Sequence, residues 1–232
     1  MSFSCMSSLA KYAKVSSGGS GSSAAYTALL ASKPPWAQYN ASSYNSSTKT
    51  LTDLTGNGRN ATASTNVTVG SGSGNGASAS ISYLSGTASD YLIFPAGSIP
   101  ANFTICEITR YTTATKNRIL QSTNSAWLIG FYNGGTTCYF GSGFNATNVT
   151  ATNNWSLCCA NNSNSYPGCV LIDNVARGQN AGSSGNLQLC INYPGTAETS
   201  PWSFNQCIIW NQILTNAELA IVSQAMWNSL ST

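Results

Sequence analysis

The chain contains no histidine and only six carboxylates in 232 residues. Histidine is the usual general base of hydrolytic sites and a common metal ligand. Its absence removes His-dependent triads and most zinc chemistry. The acids are Asp53, Asp90, Glu107, Asp173, Glu198 and Glu218, and no two lie closer than seventeen residues. A glycoside hydrolase needs two carboxylates flanking the bond, and no local motif supplies the pair. A Cys nucleophile would lack its His base. No C-x-x-C pair is present, which argues against a thioredoxin-type site. The Gly-rich stretches lack the Lys or helix start of a phosphate-binding loop. These absences point away from an enzyme.

Charge is scarce as well. Charged residues make up 6% of the chain, against about 25% in an average soluble domain. Nine basic and six acidic residues give a net charge of +3, and the only basic cluster is Lys11 with Lys14. No row of cations exists to neutralise phosphates, so a nucleic-acid partner is not expected. No apolar run reaches the roughly 18 residues of a membrane span. The N-terminus, MSFSCMSSLAKYAKVSS, has no apolar stretch of signal-peptide length. The expectation is synthesis in the cytosol and a soluble chain, with non-standard export as the alternative.

What remains is Ser, Thr, Asn and Gly around a 42% hydrophobic content. Disorder favours high charge and few aromatics, and this chain has neither. The pattern is that of a β-rich surface solvated by hydroxyls and amides. Residues 1–25 read as a flexible arm, because SSGGSGSS at 16–23 is a linker composition. Residues 1–15 are then a disordered tail or a short docking peptide. Residues 26–232 read as one all-β domain. Apolar runs separated by Gly, Asn, Ser and Pro predict strands near 36–39, 50–54, 66–69, 79–84, 90–94, 103–111, 117–121, 126–132, 136–140, 155–160, 168–173, 186–192 and 202–211. The stretch 70–78 (GSGSGNGAS) reads as a loop. One helix is expected. Thr215-Asn216-Ala217-Glu218 is a capping box, and Leu219, Val222, Met226 and Leu230 recur behind it at helical spacing.

Eight cysteines lie mostly inside apolar runs such as TICEI and LQLCIN. The plain reading is buried free thiols acting as small hydrophobes. One disulfide is an alternative: pairing symmetrically about the turn NNSNSYPG sets Cys159 opposite Cys169. Nine N-x-[S/T] sequons occur, and Asn40, Asn45, Asn60, Asn66, Asn145 and Asn148 are candidate glycan acceptors. A chain this rich in Asn, Ser and Thr produces many sequons by composition alone.

Several motifs together resemble the laminin-G-like, concanavalin A-like jelly-roll family. Pro35-Trp36-Ala37-Gln38-Tyr39 is followed by Leu51-Thr52-Asp53-Leu54-Thr55-Gly56-Asn57-Gly58-Arg59-Asn60, similar to the family's D-L-S-G-N-G-x-N turn. Phe103-Thr104-Ile105 through Arg110-Tyr111 resembles an F-T-x…x-R-Y strand. Trp127-Leu128-Ile129-Gly130-Phe131, ending in Asn133-Gly134, resembles W-L-x-G-F-x-x-G. Trp155-Ser156-Leu157 with Leu171-Ile172-Asp173-Asn174 resembles the hairpin that follows. Trp202 to Glu218 resembles the closing strand and helix. The resemblance spans about residues 34–230. It implies a two-sheet antiparallel jelly-roll sandwich with one short C-terminal helix. Trp127, Ile129 and Phe131 should then share one face, and Trp202, Phe204, Ile208 and Trp210 another. Glucanases on this fold use an E-x-D-x-x-E-type strand, and Glu107 has no such companions. The composition also resembles surface or minor capsid proteins of large algal DNA viruses.

Two sites follow from the residues. Asp53 with Asn57 could hold a calcium ion through oxygens, or could simply organise a tight turn. Tyr132, Tyr166 and Tyr193 sit beside Gly, Pro or Asn, where loop-borne rings can stack on sugars. The leading expectation is a non-enzymatic structural protein of a virion surface or minor capsid, made in the host cytoplasm and bound to other capsid or surface subunits. The alternative is an extracellular carbohydrate-binding module that attaches to glycans or a host cell wall.

Overall fold

The computed structural model describes residues 20–124, 126–141, 143–180 and 185–231. In chain order the elements are α1 (Ser20–Ser32), β1 (Ala37–Asn40), β2 (Tyr44–Asn45), β3 (Thr50–Leu51), β4 (Ala61–Ala63), β5 (Thr68–Gly74), β6 (Ala77–Gly86), β7 (Leu92–Ile93), β8 (Thr104–Tyr111), β9 (Leu120–Ser122), β10 (Trp127–Tyr132), β11 (Gly135–Phe140), β12 (Val149–Thr150), β13 (Ser156–Asn161), β14 (Val170–Ile172), β15 (Val175–Ala176), β16 (Leu189–Ile191), β17 (Trp202–Trp210) and α2 (Asn216–Asn228). The first sheet runs β15-β14-β13-β8-β17-β6-β5, with β1 also on β17. The second runs β12-β11-β10-β9-β16-β7-β4-β3-β2. These strand pairs are antiparallel. The two sheets form the expected sandwich.

Two cores hold it together. The first fills the space between the sheets and includes Tyr39, Phe94, Phe103, Tyr111, Trp127 and Phe131. Trp127, Ile129 and Phe131 all face it, as their alternation implies. The second core lies on the outer face of the first sheet, where α1 and α2 cover Cys106, Ile108, Leu157, Cys159, Ile208 and Trp210. The central strands of the first sheet, β8, β13 and β17, are therefore buried on both faces. That explains why β8 and β17 are buried at almost every position rather than at alternate ones.

Strand β17 departs from simple alternation. Its register against β8 shifts between Phe204 and Gln206, a bulge at Asn205. One extra residue flips every side chain that follows. Trp202 and Phe204 face the inner core, and Cys207 and Ile209 continue that face. Ile208 and Trp210 turn outward beneath the helices. The expectation that Trp202, Phe204, Ile208 and Trp210 share one face is overturned by this bulge.

Two other expectations change. The Gly/Ser-rich arm expected over residues 1–25 becomes helix α1 at Ser20, and residues 1–19 lie outside the described residues. Tyr26, Leu29 and Leu30, spaced as one helical stripe, bury against the outer core. The expected loop over 70–78 is a hairpin of β5 and β6. Its turn residues Asn75 and Gly76 have φ of 52° and 88°, the backbone that a two-residue Asn-Gly turn requires.

Helix α2 starts as its capping box predicts. The Thr215 hydroxyl accepts from the Glu218 N–H (3.3 Å), and Glu218 accepts from the Thr215 N–H (2.9 Å). Lys33, just past α1, approaches the same carboxylate at 2.7 Å and links the two helices. Burial alone would raise the Glu218 pKa, but hydrogen bonds from Lys33 and Thr215 outweigh it and hold the carboxyl below its ordinary range. Thr215→Ala is expected to cost about 1 kcal/mol, read as a lower urea midpoint with an unchanged m-value.

Candidate functional site

The ring contacts between sheets define the two ends of the sandwich. Phe103, just before β8, meets Trp127 at the start of β10, with centroids 5.7 Å apart. Tyr111, at the end of β8, meets Phe131 near the end of β10 at 4.4 Å. Tyr132 therefore lies at the Tyr111 end. Register places Tyr193 there too. Ile191 pairs with Leu120, and Leu120 with Ile129, so two residues further Tyr193 comes level with Phe131. Tyr166 belongs to the opposite end. It follows β13, whose last residue Asn161 pairs with Thr104. The three candidate tyrosines do not converge: Tyr166 is separated from Tyr132 and Tyr193 by the length of the sheet.

Tyr132 instead has a partner that sequence reasoning missed. Phe144, from the 141–148 loop, is 43% exposed. Its ring lies 5.8 Å from Tyr132 at 34°, and 5.5 Å from Tyr139. Such exposure for a large aromatic calls for an explanation. Tyr132 and Phe144 line a shallow pocket of about 500 Å³, rimmed by Asn133, Thr147, Asn148 and Gln179. Tyr132 also carries Arg118, whose guanidinium carbon lies 5.5 Å from the ring centroid. Arg118 is in turn paired with Glu198 at 2.6 Å. The signal for Phe144 was available: an aromatic flanked by Gly and Asn, the same context that singled out the tyrosines.

The loop bearing Phe144 is pinned from inside. Asn145 is 1% exposed. Its side-chain oxygen accepts from the Phe140 N–H (2.7 Å), and its amide nitrogen donates to the Asn180 carbonyl (2.8 Å). Gln179 donates to the Phe144 carbonyl at 3.1 Å. Asn145 therefore cannot serve as a glycan acceptor in the folded protein, which corrects that expectation. Of the other sequon residues, Asn45, Asn60, Asn66 and Asn148 are exposed and Asn40 is half-buried.

Asp53 organises a turn. Its carboxylate accepts from the N–H groups of Gln38 (3.1 Å), Thr55 (3.0 Å) and Arg59 (3.2 Å) and from the Thr55 hydroxyl (2.8 Å). Asn60 returns the favour by accepting from the Asp53 N–H (2.9 Å). Asn57 directs its amide nitrogen to the Trp36 carbonyl (3.2 Å). These donors use the oxygens that a calcium ion would need. Among the described residues no group of three or more Cys, Asp or Glu side chains comes together around a common point.

The disulfide expectation also changes. Cys159 pairs with Leu171 and Ala160 with Val170, so Cys169 falls opposite Asn161. Cys159 faces the helices and Cys169 the inner core. The two thiols lie on opposite faces, and all seven described cysteines are free and buried. Cys5 lies outside the described residues.

Glu107 is the outlier among the acids. It is fully buried on the inner face of β8, and neither carboxyl oxygen has a well-formed hydrogen bond. Burial drives its pKa well above the ordinary carboxylate range. The nearby Thr109 hydroxyl offsets this only partly, and Asp173 adds to it. Sealed in the core, Glu107 has no route to a substrate.

No protein-family model matches the chain, and no curated protein matches it. Solved structures do. Trypanosoma rangeli sialidase matches 82% of this chain with a TM-score of 0.57 at 13% identity. The fold is concanavalin A-like. The binding domain of botulinum neurotoxin DC in complex with SialylT shares this concanavalin A-like fold, with TM-score 0.57 and 12% identity over 83% of the chain. The botulinum neurotoxin type G receptor-binding domain does so at TM-score 0.55 and 12% identity. The chain spans 33% of the sialidase and 51% of each toxin domain. At these identities the likeness extends to the fold alone. No helix of the described residues is long and apolar enough to cross a membrane.

Proposed function

We propose that this chain is a non-enzymatic carbohydrate-binding module that holds a neutral glycan on the Tyr132–Phe144 platform. The observation that carries the reading is the exposed Phe144 ring beside the half-buried Tyr132, rimmed by amides and a hydroxyl. Flat rings cover the apolar face of a pyranose, and the Asn133 and Asn148 amides can meet its hydroxyls. The sialidase and the toxin domain bound to SialylT support a lectin-like use of the fold. They suggest an acidic sugar, but the pocket favours an uncharged one. Its lining carries no charged side chain. Arg118 is already paired with Glu198 and is not part of the lining. Arg177 meets the loop through its carbonyl, which accepts from the Thr147 N–H (3.0 Å), and its side chain is not part of the lining.

The role suits an exterior that meets glycans, whether a virion's or a cell's. A structural capsid role rests on composition alone and gains no support from these neighbours. The test is binding of isolated protein to a panel of neutral polysaccharides, with single substitutions. Tyr132→Ala and Phe144→Ala should each weaken binding about tenfold or more, equivalent to about 1.4 kcal/mol. Tyr166→Ala, at the other end, should leave it unchanged. Equal affinity for all three variants and the parent would remove this site from the account.

A further inference from the structure

We propose that Cys138 and Cys158 form a disulfide joining the two sheets when the chain folds in the presence of a low-molecular-weight disulfide such as oxidised glutathione. Cys138 lies on β11 in the second sheet and Cys158 on β13 in the first. Both point into the inner core, and their sulfur atoms are 3.4 Å apart. A disulfide needs about 2.05 Å. The thiols already face each other across the sandwich, and side-chain rotation with approach of the two strands closes the gap. The segment between them carries β12 and the loop of Phe144. The Cys138 carbonyl also accepts from the Asn145 N–H at 2.7 Å. The cross-link would fix the base of that loop to the opposite sheet.

The chemistry balances by exchange. One cysteine, as thiolate, attacks the small disulfide and releases one thiolate of the reagent. The second cysteine thiolate attacks the mixed disulfide and releases the other. Two protein thiols are oxidised by two electrons, one reagent disulfide is reduced to two thiols, and the two protons pass to those leaving groups. In the folded state both sulfurs are buried. The hydrogen bond with Cys138 and burial push the Cys158 thiol up. Exchange therefore belongs to the folding chain, before the sheets close.

The competing pairs are defined. Cys106 and Cys159 stand directly opposite on β8 and β13 but within one sheet. Cys159 and Cys169 lie on opposite faces. The full-length protein is unfolded with reductant, refolded with oxidised and reduced glutathione, alkylated, and digested without reduction for mass spectrometry. The expected product links the Cys138 and Cys158 peptides. Its urea midpoint is higher than that of the reduced protein and returns to it on adding dithiothreitol. Cys138→Ser and Cys158→Ser each remove that linkage. Recovery of both cysteines as alkylated or glutathionylated peptides overturns the proposal. So does a Cys106–Cys159 or Cys159–Cys169 linkage in its place. The parent protein alone decides this, so a variant that fails to fold leaves the test intact.

Discussion

Gly130→Ala is expected to destabilise the domain by roughly 2–5 kcal/mol, from a strained backbone and an overfilled core together. Gly130 sits in the middle of β10 with φ of 86°, a left-handed conformation that disfavours any side chain. A Cβ built there would overlap the Glu107 carboxyl from the facing sheet. That carboxyl is fully buried, so it has no open space to retreat into. Equilibrium unfolding in urea measures the cost. A loss below about 0.5 kcal/mol, ordinary for a surface position, would mean that the sheets do not meet at Gly130 and Glu107.

Glu107→Gln is expected to do the opposite at neutral pH. In the unfolded chain this carboxyl ionises near its ordinary value of 4.5, while in the fold burial keeps it protonated to much higher pH. Between those two values the folded state holds the extra proton. Stability therefore falls as pH rises through that window, by about 1.4 kcal/mol per pH unit. Glutamine has the shape of the protonated acid and no proton to lose. Unfolding free energies at pH 5, 6, 7 and 8 should decline more steeply for the parent than for Glu107→Gln, and the variant should be the more stable at pH 8. Asp173, raised by burial, slopes the same way in both proteins and cancels from the difference. Glu218 and Asp90 are held low. Their contributions are present above the ordinary carboxylate range and are lost only as pH falls below it. Parallel profiles for parent and variant would place an ionised, compensated carboxylate at this position.

The fold was legible wherever local chemistry repeats a known pattern. The Thr215–Glu218 box announced α2, and the alternation of Trp127, Ile129 and Phe131 announced β10 and its inner face. Legibility failed where tertiary structure changed the period. The single extra residue at Asn205 is invisible in composition, yet it moves Ile208 and Trp210 to the outer core. Helix α1 was hidden because the Ser/Gly run extends into its first turn, although the spacing of Tyr26, Leu29 and Leu30 carried its signal. The Asn75-Gly76 turn was likewise readable as a hairpin within a stretch that resembles a loop.

The candidate site was legible in kind but not in assembly. Loop aromatics beside Gly and Asn were the right class, and Tyr132 stands in the pocket. Which aromatics share an end depends on strand register, which placed Tyr166 far away and brought Phe144 in. Asn145 shows the same limit. Its sequon reads as a surface acceptor, yet its side chain supplies the internal hydrogen bonds that hold the loop.

Glycan binding at the Tyr132–Phe144 platform is read directly by an NMR titration of the isotope-labelled protein with the tightest neutral oligosaccharide from the binding panel. Saturable shifts are expected at Tyr132, Asn133, Phe144, Thr147 and Gln179, with Tyr166 and the Asp53 turn unmoved. Saturable shifts clustered at the Tyr166 end or around Asp53, with the Phe144 loop silent, would contradict binding at this platform.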